Sequence, residues 1–459
     1  MEKFKRINTA TFVSATKPKK ILFANVPADG HFNPLTGLAM HLKSIGCDVR
    51  WYTGERYAGK VKSLDIPYYP FRKAREIDPE TFDRDFPERA KIKGVVGKLN
   101  FDMINIFILR GPEYFADISE IYKNFAFDLL IADVAFSGIP FVKNKLNVPV
   151  ISVSVFPLME TSKDLAPYGM GMTPAKSALG KQKQHILRFL SDKILFRKPN
   201  KLMRQLLKEY DIKASGNIFD MLIRQSSLVL QSGSPGFEYR RSDLGKNIRF
   251  VGALLPYSKK RRQSAWFDER LNTFKRVVLV TQGTVERDTA KLLEPTLEAF
   301  KNSGFLVIVT TGGSGTDDLR KKFPQTNFII EDFIPFNDVM PYCDVYITNG
   351  GYGGVMLGIE HGLPMVVAGV HEGKNEINAR VGYFRLGVNL KSEMPSPAQI
   401  RAGVEAVIAD PQYRENVMNL KIELSTYNPQ FLCEKYMHEL FNERPVAHKF
   451  TATALVDLS

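Results

Sequence analysis

Residues 344–364 read DVYITNGGYGGVMLGIEHGLP, and this stretch decides the fold. Its first five residues are apolar enough to predict a short buried strand, and four glycines follow within the next six positions. The apolar residues after them predict a helix. In such a unit the loop N–H groups can approach a ligand, and the helix N-terminus favours an anion such as a diphosphate. A glycine loop of this kind can also serve only as a turn between the two elements.

The same alternation of strand and helix occupies most of the chain. Strands are predicted at 20–26, 48–53, 128–132 and 148–153, and again at 277–281, 306–310, 327–330, 344–348 and 365–368. Helices are predicted between them, for example at 34–45. Near-continuous apolar strands that alternate with helices indicate a parallel sheet covered on both faces. The sequence therefore predicts an α/β chain of two doubly wound, Rossmann-like domains that face a central cleft.

The domain boundaries follow from where this pattern stops and restarts. We predict an amino-terminal domain at 1–245, a linker region at 246–275, a carboxyl-terminal domain at 276–430, and a helix with a tail at 431–459 that can cross back to the first domain. The linker prediction depends on the Pro, Ser and basic residues of the segment 254–275. Ligands of doubly wound sheets bind outside the carboxyl ends of the strands, so the loops after the strands are the candidate sites.

The charge of the chain is concentrated in one segment. Residues 175–210 carry ten basic residues against Asp192 and Glu209, within a chain of net charge +14. The segment is predicted to form a basic amphipathic helix or a pair of helices, because five apolar residues are spaced as one helical face: Ile186, Leu187, Leu190, Ile194 and Leu195. The commoner arrangement is a solvated basic face on a helix that packs through its apolar side. The alternative is contact with an anionic membrane surface or with nucleic acid. Of these two partners we expect only the membrane surface, and no nucleic acid.

The remaining composition indicates an ordinary globular chain. No apolar run approaches the roughly 20 residues that span a bilayer. The first twenty residues have no apolar segment, so a secretory signal is not predicted. Cys47, Cys343 and Cys433 are far apart, which predicts neither a disulfide framework nor a metal-binding pair. We therefore expect a cytoplasmic protein with no bound metal and no cofactor.

Two polar side chains follow predicted strands of the first domain. His31 follows the first strand, on a predicted loop before a helix with Asn33 as its N-cap, and Asp133 follows the strand at 128–132. A neutral imidazole there could take a proton from a hydroxyl, and a carboxylate bonded to it would fix its tautomer. Asp29 is a rival partner for the histidine. A histidine that only caps loop neighbours, and a helix N-cap aspartate, remain open.

Two further loops of the second domain are candidate ligand contacts. Gln282-Gly283-Thr284 follows the strand at 277–281 and precedes a helix, which makes it a second candidate phosphate loop. Phe333 and Ile334 follow the strand at 327–330. The phenylalanine could stack on a base whose edge the next backbone unit contacts, or it could be a core aromatic at a strand end.

With these residues in place, the chain resembles GT-B-fold glycosyltransferases of the UDP-glycosyltransferase superfamily (glycosyltransferase family 1), in its bacterial branch. The similarity covers nearly the whole chain. It is strongest at 20–55, 128–155 and 276–392. The family has a glycine–histidine loop after the first strand with the histidine as general base, and a partner aspartate near one quarter of the chain. The resemblance therefore implies that His31 and Asp133 are catalytic.

The resemblance also implies a nucleotide-sugar site in the second domain, within residues 332–376 and the loop at 282–284. The implied donor-binding residues are Gly283, Thr284, Phe333, Ile334, Asn349, Gly350, Gly351, Gly353, Gly354, Glu360, Lys374 and Asn375.

The chain departs from the family pattern at several of these positions. Asn349 stands where the family usually has histidine, and Gly354 stands where serine is common. Leu357 stands where a glutamate binds the ribose, and Glu360, one turn later on the same helix face, could replace it. Lys374-Asn375 stands where an acidic residue and a glutamine contact the sugar hydroxyls. The base, uracil or thymine, and the sugar stay open at this point.

The resemblance implies an inverting, metal-independent transferase. It would move a sugar, expected to be glucose from UDP-glucose, to a hydroxyl of a lipophilic or aromatic small molecule such as a flavonoid, polyketide or terpenoid. Phe136, Phe156, Met159 and the Phe-, Ile- and Met-rich helical region 75–125 are expected to shape the acceptor pocket. Two alternatives are a sugar-nucleotide epimerase, which needs no acceptor, and a nucleotide-sugar-binding protein without catalysis.

Overall fold

The computed structural model of the chain describes residues 18–77, 81–257, 265–283 and 286–441. The first sheet has seven parallel strands in the order β3-β2-β1-β4-β5-β6-β7. Its strands are β1 Lys20–Ala24, β2 Asp48–Thr53, β3 Tyr68–Pro70, β4 Leu129–Asp133, β5 Val150–Ser154, β6 Leu228–Ser232 and β7 Ile248–Gly252. Its helices are α1 Asp29–Ser44, α2 Ala58–Ser63, α3 Phe82–Asp85, α4 Pro87–Ala90, α5 Val95–Asp102, α6 Arg110–Asn124, α7 Ile139–Lys145, α8 Ala178–Leu190, α9 Arg197–Glu209 and α10 Ile218–Gln225.

The second sheet has six parallel strands in the order β10-β9-β8-β11-β12-β13. Its strands are β8 Arg276–Thr281, β9 Phe305–Thr310, β10 Phe328–Glu331, β11 Val345–Thr348, β12 Met365–Val367 and β13 Gly387–Asn389. The helices after β8 are α11 Leu293–Phe300, α12 Thr316–Lys322, α13 Phe336–Val339, α14 Tyr352–Glu360, α15 Lys374–Tyr383, α16 Pro397–Ala409, α17 Gln412–Ser425 and α18 Pro429–Leu440.

Both sheets are buried on both faces, because successive residues of one strand enter different cores. Ile21 and Phe23 of β1 pack in one apolar cluster, whereas Leu22 and Ala24 pack in another on the opposite face. The strands of the second sheet alternate in the same way. This burial explains the near-continuous apolar strand sequences. The predicted α/β fold of two doubly wound domains is confirmed.

The first helix begins earlier than its sequence signals suggest. The prediction placed Asn33 at the N-cap, but α1 starts at Asp29, and the carbonyl of Ala28 accepts the N–H groups of His31 and Phe32. The first turn forms before Pro34, which therefore lies inside the helix and not at its start. His31 consequently belongs to the first helical turn and not to a loop.

The predicted linker region overlaps the first sheet at its start and leads directly into the second sheet at its end. Residues 248–252 of this region form β7, the edge strand of the first sheet, which pairs with β6.

The last helix of the described residues, α18, packs against α1 of the first domain. Its Cys433 and Met437 are buried in the same cluster as β1, and His41 contacts Glu434 across 2.8 Å. The far end of the chain thus completes the amino-terminal core.

Four strands were absent from the sequence prediction. They are β3, β6, β7 and β13, of which β3 and β13 have three residues each. The predicted helical region 75–125 is divided among α3 to α6 and a π-helical turn at Met103–Ile108. Within the described residues, no helix combines the length and apolar character needed to cross a membrane.

Candidate active site

The candidate site lies where the strand order reverses in each sheet. In the first sheet this point is between β1 and β4, and in the second it is between β8 and β11. Loops diverge from such a point and leave a crevice at the carboxyl ends of the strands. A cleft of about 710 Å³ opens there, lined by both domains. It includes Asn33 and Phe156 on one side and Gly283, Asn349 and Lys374 on the other.

His31 and Asp133 form a hydrogen-bonded pair in the first domain, directly behind the cleft-lining residues Gly30 and Phe156; neither member of the pair is itself among the lining residues. His31 Nδ1 lies 2.8 Å from Oδ1 of Asp133, whose side chain is completely buried as the last residue of β4. The carboxylate also accepts the N–H of Val26 at 2.8 Å and that of Ala135 at 3.0 Å. In the neutral ring, an Nδ1–H that donates to this carboxylate leaves Nε2 as a proton acceptor. The pair thus has the geometry of a supported general base.

Asp29, the rival partner, is engaged elsewhere. Its carboxylate accepts hydrogen bonds from the hydroxyl of Tyr57 at 3.1 Å and from the ammonium group of Lys60. The structure therefore pairs His31 with Asp133, although Asp29 also lines the cleft.

Of the three predicted acceptor contacts, only Phe156 lines the cleft. Its ring meets the His31 imidazole edge-on at a centroid distance of 5.3 Å. Phe136 is fully buried and stacks on Tyr114 in the core, with ring centroids 4.4 Å apart. Met159 packs in a separate buried cluster with Leu158. Both side chains stabilise the first domain and do not reach the cleft.

The glycine loop after β11 is tied to the loop after β8. The Asn349 amide donates to the carbonyl of Gln282, and its oxygen accepts the N–H of Gly351 at 3.3 Å. Asn349 therefore orients both loops, and this role does not need a charged side chain.

Gly350, the next residue, has a φ of +82°, and a Cβ on it would lie 1.9 Å from Oδ1 of Asn378. Only glycine fits there.

The N-terminus of α14 opens into the cleft. Gly351 is its N-cap and no side chain caps it. A Cβ on Gly353 would meet no atom within 4 Å, whereas one on Gly354 would contact the hydroxyl of Tyr346. Burial raises the pKa of Tyr346 to about 12, so this hydroxyl keeps its proton. Uncapped N–H groups and a helix dipole make this end suited to bind phosphate oxygens.

An aromatic side chain of the second domain also lines the cleft. Phe333 is 69% exposed although it lines the cleft, whereas Ile334 is buried. An exposed aromatic face of this kind can stack on a nucleobase.

One glycine loop was missed by the sequence analysis. The segment 311–316, TGGSGT, follows β9, and its Gly312, Gly313 and Gly315 all have positive φ. Gly312 lines the cleft, and the hydroxyl of Thr316 donates to Asp332. The pattern of strand, glycine loop and helix that identified the loop after β11 also applies to this segment and would have predicted it.

The remaining predicted donor contacts divide into those near the cleft and those away from it. Lys374 lines the cleft, with its ammonium group 2.8 Å from the Glu372 carboxylate. The Asn375 amide donates instead to the carbonyl of Gly169 in the first domain at 2.6 Å. Glu360 is the last residue of α14 and does not line the cleft. Thr284 lies outside the described residues.

The described residues contain no group of three or more His, Cys, Asp or Glu side chains that could hold a metal ion. The cleft lining includes the uncapped N-terminus of α14 and Lys374, which are groups that can bind phosphate oxygens.

Known proteins resemble the chain in sequence. Residues 300–437 match the family model "Erythromycin biosynthesis protein CIII-like, C-terminal domain". The 4'-demethylrebeccamycin synthase of Lentzea aerocolonigenes is 33% identical over 413 residues, which cover 88% of this chain and 95% of that protein. UDP-glycosyltransferase 2 of Phaeomoniella chlamydospora is 28% identical over 427 residues, or 90% of this chain and 93% of that one.

Solved structures share the fold. CalG4, the calicheamicin glycosyltransferase, superposes with a TM-score of 0.70 at 18% identity, covering 93% of this chain and 99% of that one. The spinosyn rhamnosyltransferase SpnG in complex with thymidine diphosphate gives a TM-score of 0.63 at 14% identity, covering 91% and 100%. Together with the full-length sequence relatives, these findings show that the chain belongs to the GT-B-fold UDP-glycosyltransferase superfamily and is a glycosyltransferase.

Proposed function

We propose that the enzyme moves glucose from UDP-glucose to a hydroxyl of a lipophilic or aromatic small molecule, with inversion at the anomeric carbon. The observation that carries this proposal is the His31–Asp133 pair beside Phe156, at a cleft whose opposite wall has an open helix N-terminus. A base on one wall and an anion site on the other are what a single in-line displacement needs.

In this mechanism the acceptor oxygen attacks the anomeric carbon as its proton passes to Nε2 of His31. The bond from that carbon to the diphosphate oxygen breaks, and the electron pair leaves with the diphosphate. Asp133 holds the imidazole and stabilises the imidazolium. N–H groups at the start of α14 balance the charge that develops on the leaving group, together with the ammonium group of Lys374, which is shared with the Glu372 carboxylate, so no metal is required.

One observation favours a second donor, a thymidine diphosphate sugar. Where α14 lines the cleft, the side chains beyond the glycines are Met356 and Leu357, and neither can bind a ribose hydroxyl. Glu360, the expected substitute, lies outside the lining. A site without a carboxylate at this place loses little binding affinity when the nucleotide is a deoxyribonucleotide, which lacks the 2′-hydroxyl.

The test is a transfer assay with UDP-glucose and dTDP-glucose, a panel of aromatic aglycones, and EDTA. We expect an acceptor-dependent glucoside whose anomeric proton, measured by NMR, shows the configuration opposite to that of the donor. A product with retained configuration, or activity that EDTA abolishes, would contradict the mechanism. An epimer formed without acceptor would indicate the epimerase, and nucleotide binding without any turnover would indicate a non-catalytic protein.

A further inference from the structure

Helix α8 faces solvent with its apolar side. Leu179, Ile186, Phe189 and Ile194 are between 50% and 81% exposed, and they extend from α8 into the π-helical turn Ser191–Leu195. Their spacing, together with that of Leu190, places them along one stripe of the helix. Lys183 lies in the same stripe, four residues after Leu179 and three before Ile186.

The inward side of the same helix is polar. The side chain of Gln184 is buried and donates to the carbonyl of Thr173 at 2.9 Å. The guanidinium of Arg188 donates to the carbonyl of Leu165, and Ser191 is also buried. The helix is therefore attached to the domain by hydrogen bonds, and its apolar stripe has no cover among the described residues. A contiguous exposed apolar surface of this kind marks an interaction site.

Charge decides which partner fits this surface. Exposed Lys183 and Lys193 lie within the stripe, with the ammonium group of Lys193 3.0 Å from the Asp192 carboxylate. The segment 175–210 carries ten basic residues against two acidic ones. A second copy of the chain would bring two basic surfaces together, which is unfavourable. An anionic bilayer instead offers acyl chains to the apolar residues and negative charge to the lysines.

We propose that this outer face of α8, formed by Leu179, Lys183, Ile186, Phe189, Leu190, Lys193 and Ile194, docks on an anionic membrane surface. The proposal concerns attachment alone and does not depend on which donor or acceptor the enzyme uses. The helix lies in the interface plane, with the apolar stripe at the level of the headgroups and the lysines on lipid phosphates.

The docking face is connected to the mouth of the cleft. The loop under α8 continues to Gly169 and Gly171, whose N–H groups donate to the Glu376 carboxylate at 2.9 and 2.8 Å. Glu376 lies in the first turn of α15, two residues from Lys374, which lines the cleft. Docking through α8 would therefore act on a segment that is hydrogen-bonded to the helix next to the cleft.

The experiment is co-sedimentation of the full chain with vesicles of phosphatidylcholine alone and of phosphatidylcholine mixed with phosphatidylglycerol, at low and high salt. We expect binding to the mixed vesicles at low salt, weaker binding at high salt, and little binding to the neutral vesicles. Equal binding to both vesicle types, or no binding to the mixed vesicles at low salt, would overturn the proposal.

Two double variants test the face itself. Lys183→Gln with Lys193→Gln should weaken partitioning about thirtyfold, since each basic residue near an anionic leaflet contributes about a fivefold increase in binding. Ile186→Gln with Phe189→Gln should weaken it at least about tenfold through lost apolar burial. These side chains are exposed, so we expect unchanged thermal unfolding.

Matched controls are Lys62→Gln with Lys321→Gln, and Met394→Gln with Ile422→Gln, which change exposed residues away from α8. They should bind vesicles as the parent chain does. Variants of α8 that bind as well as these controls would overturn the proposal. A second contradicting outcome combines two results: light scattering shows that the parent chain is a dimer and the apolar α8 variant a monomer, and the parent chain does not bind vesicles.

Discussion

The two walls of the cleft are built on different principles. On the first-domain side, the proposed base is one imidazole held by a buried carboxylate, which is itself fixed by two backbone N–H groups. On the second-domain wall, glycine loops and a helix N-terminus present backbone, together with the exposed ring of Phe333. In the proposed mechanism, the first-domain side depends on two side chains, whereas the second-domain side depends on many groups.

This difference has a consequence for mutation. A proton must leave the acceptor at one point, so the base must be placed precisely and has no substitute. A diphosphate nucleotide is held by several contacts, each of which contributes part of the affinity. Single changes on the first wall should therefore abolish turnover, and single changes on the second should weaken binding by degrees.

The strongest test of this contrast is His31→Ala. We expect kcat to fall by roughly 10⁴-fold, the upper range for loss of a general base, with an unchanged Kd for the nucleotide by calorimetry. If nucleotide binding is lost together with turnover, the histidine supports the cleft structurally and the contrast between the walls is wrong.

The next test compares two carboxylates on the first wall. Asp133→Asn should lower kcat roughly 10²-fold, because an amide facing Nδ1 no longer stabilises the imidazolium. Asp29→Asn should change kcat by less than about tenfold, since its bonds go to Tyr57 and Lys60. Steady-state kinetics of both variants decide the matter, and an equal loss in the two would show that Asp133 is not the specific partner.

On the second wall, Phe333→Ala should weaken nucleotide binding about tenfold through lost base stacking. Because the ring is 69% exposed, the melting temperature should stay the same. Phe333→Tyr keeps an aromatic face and serves as the control, with affinity near that of the parent chain. An alanine variant with parental affinity would remove Phe333 from the donor site.

The smallest expected effect is a difference in stability between alanine variants of two glycines in the loop after β11. Gly350→Ala should lower the free energy of unfolding by at least about 1 kcal/mol, because the residue has a positive φ and a Cβ would collide with Asn378. Gly353→Ala has open space and a helical position, so it should cause a change of less than about 1 kcal/mol. Urea denaturation measures both. Equal destabilisation would mean that Asn378 can move aside for a Cβ at position 350.

The sequence was most informative where a polar residue follows a buried strand. The strands ending at Ala24 and Asp133 are neighbours at the point where the strand order reverses, and this is why His31 and Asp133 meet. Strand patterns and the glycine loops therefore predicted both walls of the cleft. The catalytic and binding roles of these residues are predictions that the experiments above test.

Other features depend on information that local patterns do not carry. An aromatic residue beside a strand end can face the core or a cleft, and Phe136 faces the core whereas Phe156 faces the cleft. Periodicity identified the apolar stripe of α8 but not its direction. We expected inward packing as the commoner arrangement, but the structure leaves Ile186, Leu190 and Ile194 exposed. Gln184 and Arg188 on the other side of the helix donate hydrogen bonds to the domain.

The position of α18 bears on the order in which the protein folds during synthesis. Domains commonly fold as they leave the ribosome, the amino-terminal one first. Here Cys433 and Met437 belong to the core around β1, and Glu434 contacts His41. The apolar core of the amino-terminal domain is therefore complete only after α18 has been translated.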